Sequence, residues 1–338
     1  MKRTTRHHNT DFPVSVVLPT RNAATTVLSA LRSLLQQSYP IREILVVDNV
    51  SKDNTCKLVE EFARTSIIPV RLIRQSRDKA VGSSFNLGVK TAKSEFVILM
   101  MSDCALPDSR ELGKLVRPLR SDSTIGAAYS VSVLPMTVWE GYNFWEKLWA
   151  ARMVENYSSL MVLKFDCVRK SAFMDIGGFD EINFGGEKSI GGEDADLSNR
   201  LKKKWRIVST NAKSLHLHYL ASDYSLADMA RSRKLYARSY GRFLRKDAME
   251  DVRASLIFLI KPILAVIPFI PGFTIIGLTI MAIFSVWYTK IMFLHKSTRL
   301  DGRIVLVPAI NIFFVYYETY WLMQAFMSYK GSIKEEKS

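Results

Sequence analysis

Three acidic residues follow a pair of glycines within the second half of the chain. Glu193, Asp194 and Asp196 come directly after Gly191 and Gly192. A carboxylate that begins a helix behind flexible glycines can approach a substrate closely, and a helix N-terminus favours negative charge. Such a carboxylate can take the proton of a hydroxyl group as its oxygen attacks a carbon atom. The alternative is that these acids only complement the helix dipole.

Two further carboxylates stand at the ends of apolar runs. Asp48 ends the run Glu43–Asp48, and Asp103 follows the run Phe96–Met101. A carboxylate in this position can accept hydrogen bonds from the ring N–H groups of uracil or guanine. It can also bind Mg²⁺ or Mn²⁺ together with phosphate oxygens. Asp48 could instead do no more than cap the turn that follows it.

Strand and helix patterns alternate through the first third of the chain. Because this alternation is typical of βαβ units, we predict an α/β fold with a largely parallel sheet. Ligands bind such sheets at the carboxyl ends of strands, so Pro19, Thr20, Arg21, Asp48 and Asp103 are expected to share one crevice. The predicted strands are Val14–Pro19, Glu43–Asp48, Val70–Arg74 and Phe96–Met101, and the predicted helices are Ala23–Gln37, Asp53–Ala63 and Ala80–Lys93.

The second half of this region is less regular. Its predicted elements are strands at Gly126–Val133, Met161–Cys167 and Ser214–His218, a glycine-rich loop at Gly177–Gly192, and a helix at Glu193–Lys204.

Six motifs stand in a fixed order along residues 12–220: Val16–Asn22, Val46–Thr55, Ser84–Gly88, Ser102–Cys104, Gly177–Glu181 and Gly192–Leu197. In order and spacing they resemble the inverting family-two glycosyltransferases of the GT-A fold. The resemblance implies an open twisted sheet flanked by helices, a nucleotide-diphosphate sugar donor, and Mn²⁺ or Mg²⁺ as cofactor. One departure is that Met101 stands where the family usually has the first acid of an Asp-x-Asp motif.

The resemblance also implies roles for individual residues. Asp194 is the expected general base, and Asp103 is the expected metal ligand, with His218 or His216 as a further ligand. Asp48 is expected to read the nucleotide base. The nucleotide site would comprise Pro19, Thr20, Arg21, Asp48, Asn86, Ser102 and Asp103, and the acceptor or sugar pocket would comprise Gly178, Phe179, Asp180 and Glu193.

The chain carries a formal net charge of +15, which indicates an anionic partner. Anionic lipid and a nucleotide diphosphate both fit, whereas zinc-finger, RNA-binding and basic-zipper patterns are absent, so we expect no binding of nucleic acid. The three cysteines form no CxxC pair, which suits a reducing compartment. The polar N-terminus has no apolar stretch after it, so the catalytic domain is expected in the cytosol.

Apolar runs dominate the C-terminal part. We predict a polar tail at 1–11, a GT-A domain at 12–228, a basic amphipathic interfacial helix at 229–254, a transmembrane region at 255–327 and a polar tail at 328–338. The helix would lie on an anionic membrane surface. The transmembrane region would hold two or three spans, depending on whether the chain turns at Pro271–Gly272, and the protein would be a multi-pass protein of the cell membrane.

These features predict a transferase that moves a single sugar, with inversion, to a hydroxyl group of a polyprenyl-linked saccharide at the cytosolic membrane face. No Gln-x-x-Arg-Trp motif of the processive polysaccharide synthases is present, which favours a single addition. The alternatives are transfer to a polyprenyl phosphate, and a degenerate, non-catalytic member that binds nucleotide or lipid. Trp139, Trp145 and Trp149 could stack on a sugar or rest on the membrane.

Overall fold

The computed structural model describes residues 12–154, 161, 163–181, 192–217, 223–247 and 252–328. The chain divides into two compact units. The first unit comprises Met1–Val133, Tyr157–Glu187 and Asp196–Tyr219, and the second comprises Leu134–Asn156, Lys188–Ala195 and Leu220–Ser338.

The strands are β1 Val14–Thr20, β2 Ile41–Asp48, β3 Val70–Arg74, β4 Phe96–Met100, β5 Cys104–Ala105, β6 Ile125–Val133, β7 Phe165–Arg169 and β8 Arg206–His216. The helices are α1 Val27–Leu35, α2 Thr55–Thr65, α3 Val81–Thr91, α4 Glu111–Ser121, α5 Met136–Glu140, α6 Phe144–Ala150, α7 Lys170–Asp175, α8 Glu193–Lys202, α9 Leu226–Asp247, α10 Val252–Val266, α11 Thr274–Trp287, α12 Lys290–Leu294, α13 Lys296–Arg299 and α14 Val307–Ser328.

The first unit is built on one sheet with the strand order β3-β2-β1-β4-β7-β6-β8-β5. Its central strands are apolar on both faces, because helices cover both sides. Val16 and Leu18 of β1 pack with α1, α2 and α4, whereas Val17 packs with α3, α7 and α8. The result is an α/β/α sandwich of the GT-A type, as predicted.

The sheet is mixed rather than largely parallel. Strands β3, β2, β1 and β4 are parallel, as predicted, but β7 runs antiparallel to both β4 and β6. Strand β8 begins at Arg206, eight residues before the predicted Ser214. The pattern missed this start because much of β8 is half-exposed, so polar and apolar residues alternate without a continuous apolar run.

The second unit is helical. Among the described residues, only the segment Gly302–Ser328 is long and apolar enough to cross a membrane. The run Ser255–Leu294 forms the shorter α10 and α11, of 15 and 14 residues, separated at Gly272, whose φ is +83°. The prediction of two or three spans is therefore supported for one helix only.

Two of the three tryptophans belong to the core of the second unit. Trp139 is fully buried and donates a 3.0 Å hydrogen bond from Nε1 to the carbonyl oxygen of Lys147. Trp149 is also buried. Both side chains therefore stabilise this unit, and neither offers a face to a sugar.

Candidate functional site

The carboxyl ends of β1 and β2 bring two polar side chains together. Thr20 and Asp48 are partners in the parallel ladder, and their residues are only 2% and 3% exposed. Asp48 Oδ2 accepts a 3.1 Å hydrogen bond from the Ser51 backbone N–H, so it does cap the turn. Its Oδ1 and the Thr20 Oγ1 are buried with no hydrogen-bond partner among the described residues. Since buried polar atoms are normally paired, these two oxygens are suited to a ligand.

The loop after β3 is fastened to the end of β2. Asn49 Nδ2 donates to the Lys79 carbonyl oxygen at 2.5 Å, and the Lys79 N–H donates to Asn49 Oδ1 at 2.9 Å. Arg21 forms a 2.6 Å ion pair with Asp78 in the same loop. Asp78 thus links the predicted nucleotide residue Arg21 to Asn49, the residue that follows Asp48.

The turn that follows Asp48 is strained. Val50 has a φ of +57°, a left-handed conformation that is uncommon for a β-branched residue. The turn is held from the β1 side, where Asn22 Oδ1 accepts a 2.8 Å bond from the Lys52 N–H and the Asn22 N–H donates 2.9 Å to Ser51 Oγ. Strain of this kind is retained where the surrounding contacts determine the conformation, often at a binding site.

A second polar group lies where β4 ends. Asp103 follows β4, and the antiparallel pairing of β5 with β8 brings it to His216. Asp103 Oδ2 lies 2.9 Å from His216 Nε2. Lys164 Nζ lies 3.3 Å from the same oxygen and 3.0 Å from His216 Nε2. Because β1, β2 and β4 are parallel neighbours, Asp103 stands at the same sheet edge as Thr20 and Asp48.

Asp103 and His216 carry donor atoms that a divalent cation binds, but two side chains are fewer than such a cation needs. A carboxylate and an imidazole are both ligands that Mn²⁺ accepts. Within the described residues no group of three metal-ligating side chains occurs, and Met101 supplies no acid. The Lys164 ammonium lies within 3.3 Å of both Asp103 Oδ2 and His216 Nε2, so a bound metal would displace it. The predicted ligand His218 lies outside the described residues. His216, the alternative ligand, lies beside Asp103.

The Asn86 side chain binds a loop of the protein itself. Its Oδ1 accepts a 2.8 Å bond from the Phe179 N–H, and its Nδ2 donates to the Phe179 carbonyl oxygen and to Glu181 Oε1, both at 2.9 Å. Gly178 permits this contact, because its φ is +67° and an added Cβ would lie 2.5 Å from Asn86 Oδ1. Both ends of the Asn86 amide are thus used within the protein, which differs from the nucleotide contact predicted for it.

The predicted pocket residue Phe179 is part of the core. It is 3% exposed, and its ring stacks on Phe85 with centroids 5.6 Å apart and meets Phe173 at 5.7 Å. Its side chain therefore anchors the loop and offers no surface to a sugar. Asp180, the next residue, is half-buried, and Ser102 is buried.

Helix α8 begins at Glu193, as predicted. Asp194 lies in the first turn and is half-buried, and its Oδ1 accepts a 2.8 Å bond from the Ala195 N–H. Burial raises the pKa of Glu193, and the charge of Asp194 adds to the rise. Asp196 is buried and forms a 2.7 Å ion pair with Arg200, so its role is structural. Asp194, half-buried at the start of α8, therefore stays the predicted general base.

Sequence reasoning missed Lys164 and the loop residues Asn49 and Asp78. The register of β4 with β7 pairs Met100 with Phe165, which places Lys164 directly beside the residues after β4. A prediction of antiparallel pairing between these two apolar runs would have found it. Asn49 and Asp78 carried no signal, because their contacts join loops 29 residues apart.

Residues 15–181 match the family model Glycosyl transferase family 2. The Escherichia coli UDP-Glc:alpha-D-GlcNAc-diphosphoundecaprenol beta-1,3-glucosyltransferase WfgD is 33% identical over 93 residues, which are 28% of this chain and 36% of WfgD. An uncharacterized glycosyltransferase of Haemophilus influenzae is 25% identical over 171 residues, 49% of this chain and 55% of the relative. The chain thus spans less than two thirds of the length of these relatives.

Among solved structures, the Pyrobaculum calidifontis mannosyltransferase PcManGT, in complex with GDP-Man and Mn²⁺, has the same fold. It aligns with a TM-score of 0.59 at 17% identity over 92% of this chain and 88% of that chain. GalNAc-T7 with UDP, GalNAc and Mn²⁺ aligns with a TM-score of 0.52 at 15% identity over 75% of this chain and 51% of that chain.

Proposed function

Residues 15–181 form a glycosyl transferase family 2 domain, and we propose that the chain is a glycosyltransferase that moves one sugar from a nucleotide-diphosphate sugar to a hydroxyl group of a polyprenyl-linked saccharide, with inversion. The observation that carries the proposal is the row of polar groups at one edge of the sheet: Thr20 and Asp48 at β1 and β2, and Asp103 after β4. This edge is where α/β sheets bind nucleotides.

The donor would bind along this edge. Asp48 Oδ1 would accept a ring N–H of uracil or guanine, and Thr20 Oγ1 would bond a neighbouring base or ribose atom. Both oxygens are buried and lack partners among the described residues, so binding would add hydrogen bonds without breaking any inside the protein. Pro19 and Arg21 would flank the base.

The diphosphate would lie toward Asp103. Asp103 and His216 would hold Mn²⁺ or Mg²⁺ there, and a bound cation would neutralise the charge that develops on the departing diphosphate. Without a metal, Lys164 pairs with Asp103, and a bound cation would displace its ammonium group from this position. Ser102 is close by in sequence.

Asp194 would act as the general base for the acceptor hydroxyl, with Gly178, Asp180 and Glu193 near the acceptor or sugar. The test is Asp194→Asn, which keeps the size of the side chain and removes its basicity. General-base assistance is worth about 10²–10⁴ in rate, so kcat should fall by that factor while the Kd for nucleotide stays unchanged. The control is Asp175→Asn, because Asp175 is a surface residue bonded to Lys204 and Trp205.

The outcome decides between mechanisms. Normal turnover of Asp194→Asn would mean that the acceptor is already ionised, as a polyprenyl phosphate is, or that another acid is the base. Donor binding without any turnover by the wild-type protein would favour the non-catalytic alternative that Met101 suggests. Asp196→Asn should instead lower stability, because it breaks a buried ion pair with Arg200.

A lipid-linked acceptor is supported by the name of WfgD, which acts on a sugar attached through diphosphate to undecaprenol. It is also supported by the apolar surface of the second unit. Large side chains that are more than half exposed line α10 and α11 and the segment before α14. They include Leu256, Ile263, Phe269, Ile275, Ile283, Trp287, Leu294 and Val305.

We propose that this surface enters the cytosolic leaflet without crossing it. Helix α9 packs lengthwise on α14, with an added Cβ at Gly241 only 2.2 Å from the Leu322 carbonyl oxygen. The contacts extend to Arg245, whose guanidinium lies 5.4 Å from the Phe326 ring. If α14 spanned the bilayer, the cations of α9 would enter hydrocarbon at high cost. The pair therefore fits the headgroup region, where anionic lipid attracts basic residues.

A further inference from the structure

A group of charged side chains converges on one tyrosine ring inside the second unit. The Tyr288 ring centroid lies 4.9 Å from Lys261 Nζ, 5.7 Å from Arg233 Cζ and 5.8 Å from Arg152 Cζ. These cations come from three separate parts of the chain: α10, α9 and the segment after α6. We refer to Arg152, Arg233, Lys261 and Tyr288, with Glu318, as the Tyr288 cluster.

The cluster contains three cations and one carboxylate. Glu318 of α14 is shared by two cations, because Arg233 Nη1 lies 3.1 Å from its Oε1 and Lys261 Nζ bonds its Oε2. One carboxylate therefore serves two buried or half-buried cations. Arg152 brings a third positive charge to the same ring. Burial alone would raise the pKa of Tyr288, but Arg233, Arg152 and Lys261 lower it to about 7, which shows how strongly the cluster favours an anion.

One arginine retains an unused donor. The Arg233 side chain is only 7% exposed, and its Nη1 bonds Glu318 and the Tyr288 hydroxyl at 3.1 Å each. Its Nε is buried with no hydrogen-bond partner in the part of the chain that the structure describes. An arginine is rarely buried in this way unless an anion completes its hydrogen bonds.

One member of the cluster reaches the protein surface. Arg152 is exposed, Lys261 is half-buried and Arg233 is buried, so the charges extend from the surface inward. Because α9 and α14 both contribute to it, the cluster would lie at the depth of lipid headgroups if the pair lies there. That is the depth at which the phosphates of a lipid-linked acceptor occur.

We propose that the Tyr288 cluster binds the diphosphate group of the lipid-linked acceptor, an inference that rests on the acceptor class in the proposed function. The planar guanidinium groups of Arg152 and Arg233 can each offer two N–H donors to phosphate oxygens. Lys261 adds a point charge. Glu318 keeps Arg233 and Lys261 in position when no anion is bound.

The test measures binding of the full chain to phosphatidylcholine vesicles that contain farnesyl diphosphate. The comparison vesicles contain phosphatidylglycerol at the same surface charge, so general attraction to anionic lipid is equal in both. We expect at least tenfold tighter binding to the diphosphate vesicles, and we expect inorganic pyrophosphate to compete. Competition would identify the diphosphate, rather than the isoprenoid tail, as the group that is recognised.

Two variants with the same change in charge locate the site. Arg152→Gln should lower the preference for diphosphate about tenfold, which corresponds to the loss of a charge-assisted hydrogen bond. Arg231→Gln is the control, because Arg231 is on α9 but is 72% exposed and pairs only with Asp228 among the contacts of the structure. It should leave the preference unchanged, and thermal unfolding should show that both variants fold.

Equal binding of wild-type protein to the two kinds of vesicle would overturn the proposal. Equal losses in Arg152→Gln and Arg231→Gln would also overturn it, because long-range attraction would then explain the binding. The measurement needs no sugar transfer, so its failure leaves the proposed function in place. Conversely, a protein that prefers diphosphate vesicles but transfers no sugar would refute the proposed function alone.

Discussion

Replacing Asp48 with Asn tests whether the end of β2 reads the nucleotide base. Asp48 Oδ2 accepts the Ser51 N–H, and Asn can retain this bond with its own oxygen. The side-chain NH₂ would then replace Oδ1, the buried atom that has no partner among the described residues. A donor would face the ring N–H of uracil or guanine, where the wild-type protein has an acceptor.

The loss can be estimated from the bond involved. A hydrogen bond to a charged group contributes about 1.5–3 kcal/mol, so the Kd for UDP or GDP should rise about 10- to 150-fold. CDP serves as the matched probe, because N3 of cytosine is an acceptor. Asp48→Asn should bind CDP as tightly as the wild-type protein does, or more tightly. Calorimetry with the three nucleotides measures this, and Asp53→Asn in the same loop is the control variant.

The reasoning would be wrong if Asp48→Asn weakened all three nucleotides equally, because that result would indicate a disturbed turn. It would also be wrong if no affinity changed, because Asp48 would then act only as the turn cap. Thermal unfolding of the variant separates a lost ligand contact from a lost fold.

Three further predictions concern the rest of the site. Lys164→Met should raise the affinity for Mn²⁺ at least tenfold, because the ammonium at 3.3 Å from Asp103 no longer competes with the metal for this carboxylate. Calorimetry with UDP present measures the affinity, and an unchanged value would show that Lys164 does not compete. Val50→Gly should raise the free energy of unfolding by about 1 kcal/mol by relieving the left-handed strain, and a denaturant titration in which the variant is less stable would refute this. Burial raises the pKa of Glu193 above its ordinary 4.5, so the stability of the protein should fall as the pH rises through the raised pKa. Glu193→Gln should remove this fall in melting temperature, and identical pH profiles of melting temperature for the variant and the wild-type protein would contradict the prediction.

The parallel half of the sheet could be predicted from the sequence because its information is local. Each of β1, β2 and β4 is a short apolar run of the right length, and the polar residues that follow must meet at one edge. The prediction for Asp48 could therefore be made from residue type and position. The structure shows that Asp48 caps the turn, and its unpartnered Oδ1 leaves the base-binding role as a prediction.

The rest of the candidate site is formed by contacts between residues that are distant in sequence. Asp103 and His216 are 113 positions apart, so their proximity was expected from the family resemblance and not from a local pattern; in the structure, the pairing of β5 with β8 brings them together. Lys164 is placed by the antiparallel register of β7. The family resemblance placed Phe179 in the sugar pocket, whereas in the structure its ring packs in the core against Phe85 and Phe173.

The C-terminal helices show a different limit. Hydropathy alone treats α14 as a span, because it averages residues along one helix. A hydropathy average does not detect that the basic helix α9 packs along α14 and brings Arg233 to Glu318. If α9 and α14 enter a membrane together, as proposed above, the cations of α9 limit the depth that α14 can reach.

The most direct test of the central claim is a transfer assay with full-length protein in vesicles. The vesicles carry a polyprenyl-diphosphate GlcNAc acceptor, and radiolabelled UDP and GDP sugars are supplied in turn with Mn²⁺. The account predicts that one donor gives a lipid-linked disaccharide, extended by a single sugar with inverted anomeric configuration. Release of free sugar only, a polymeric product, or label on polyprenyl phosphate but not on the saccharide acceptor would contradict it.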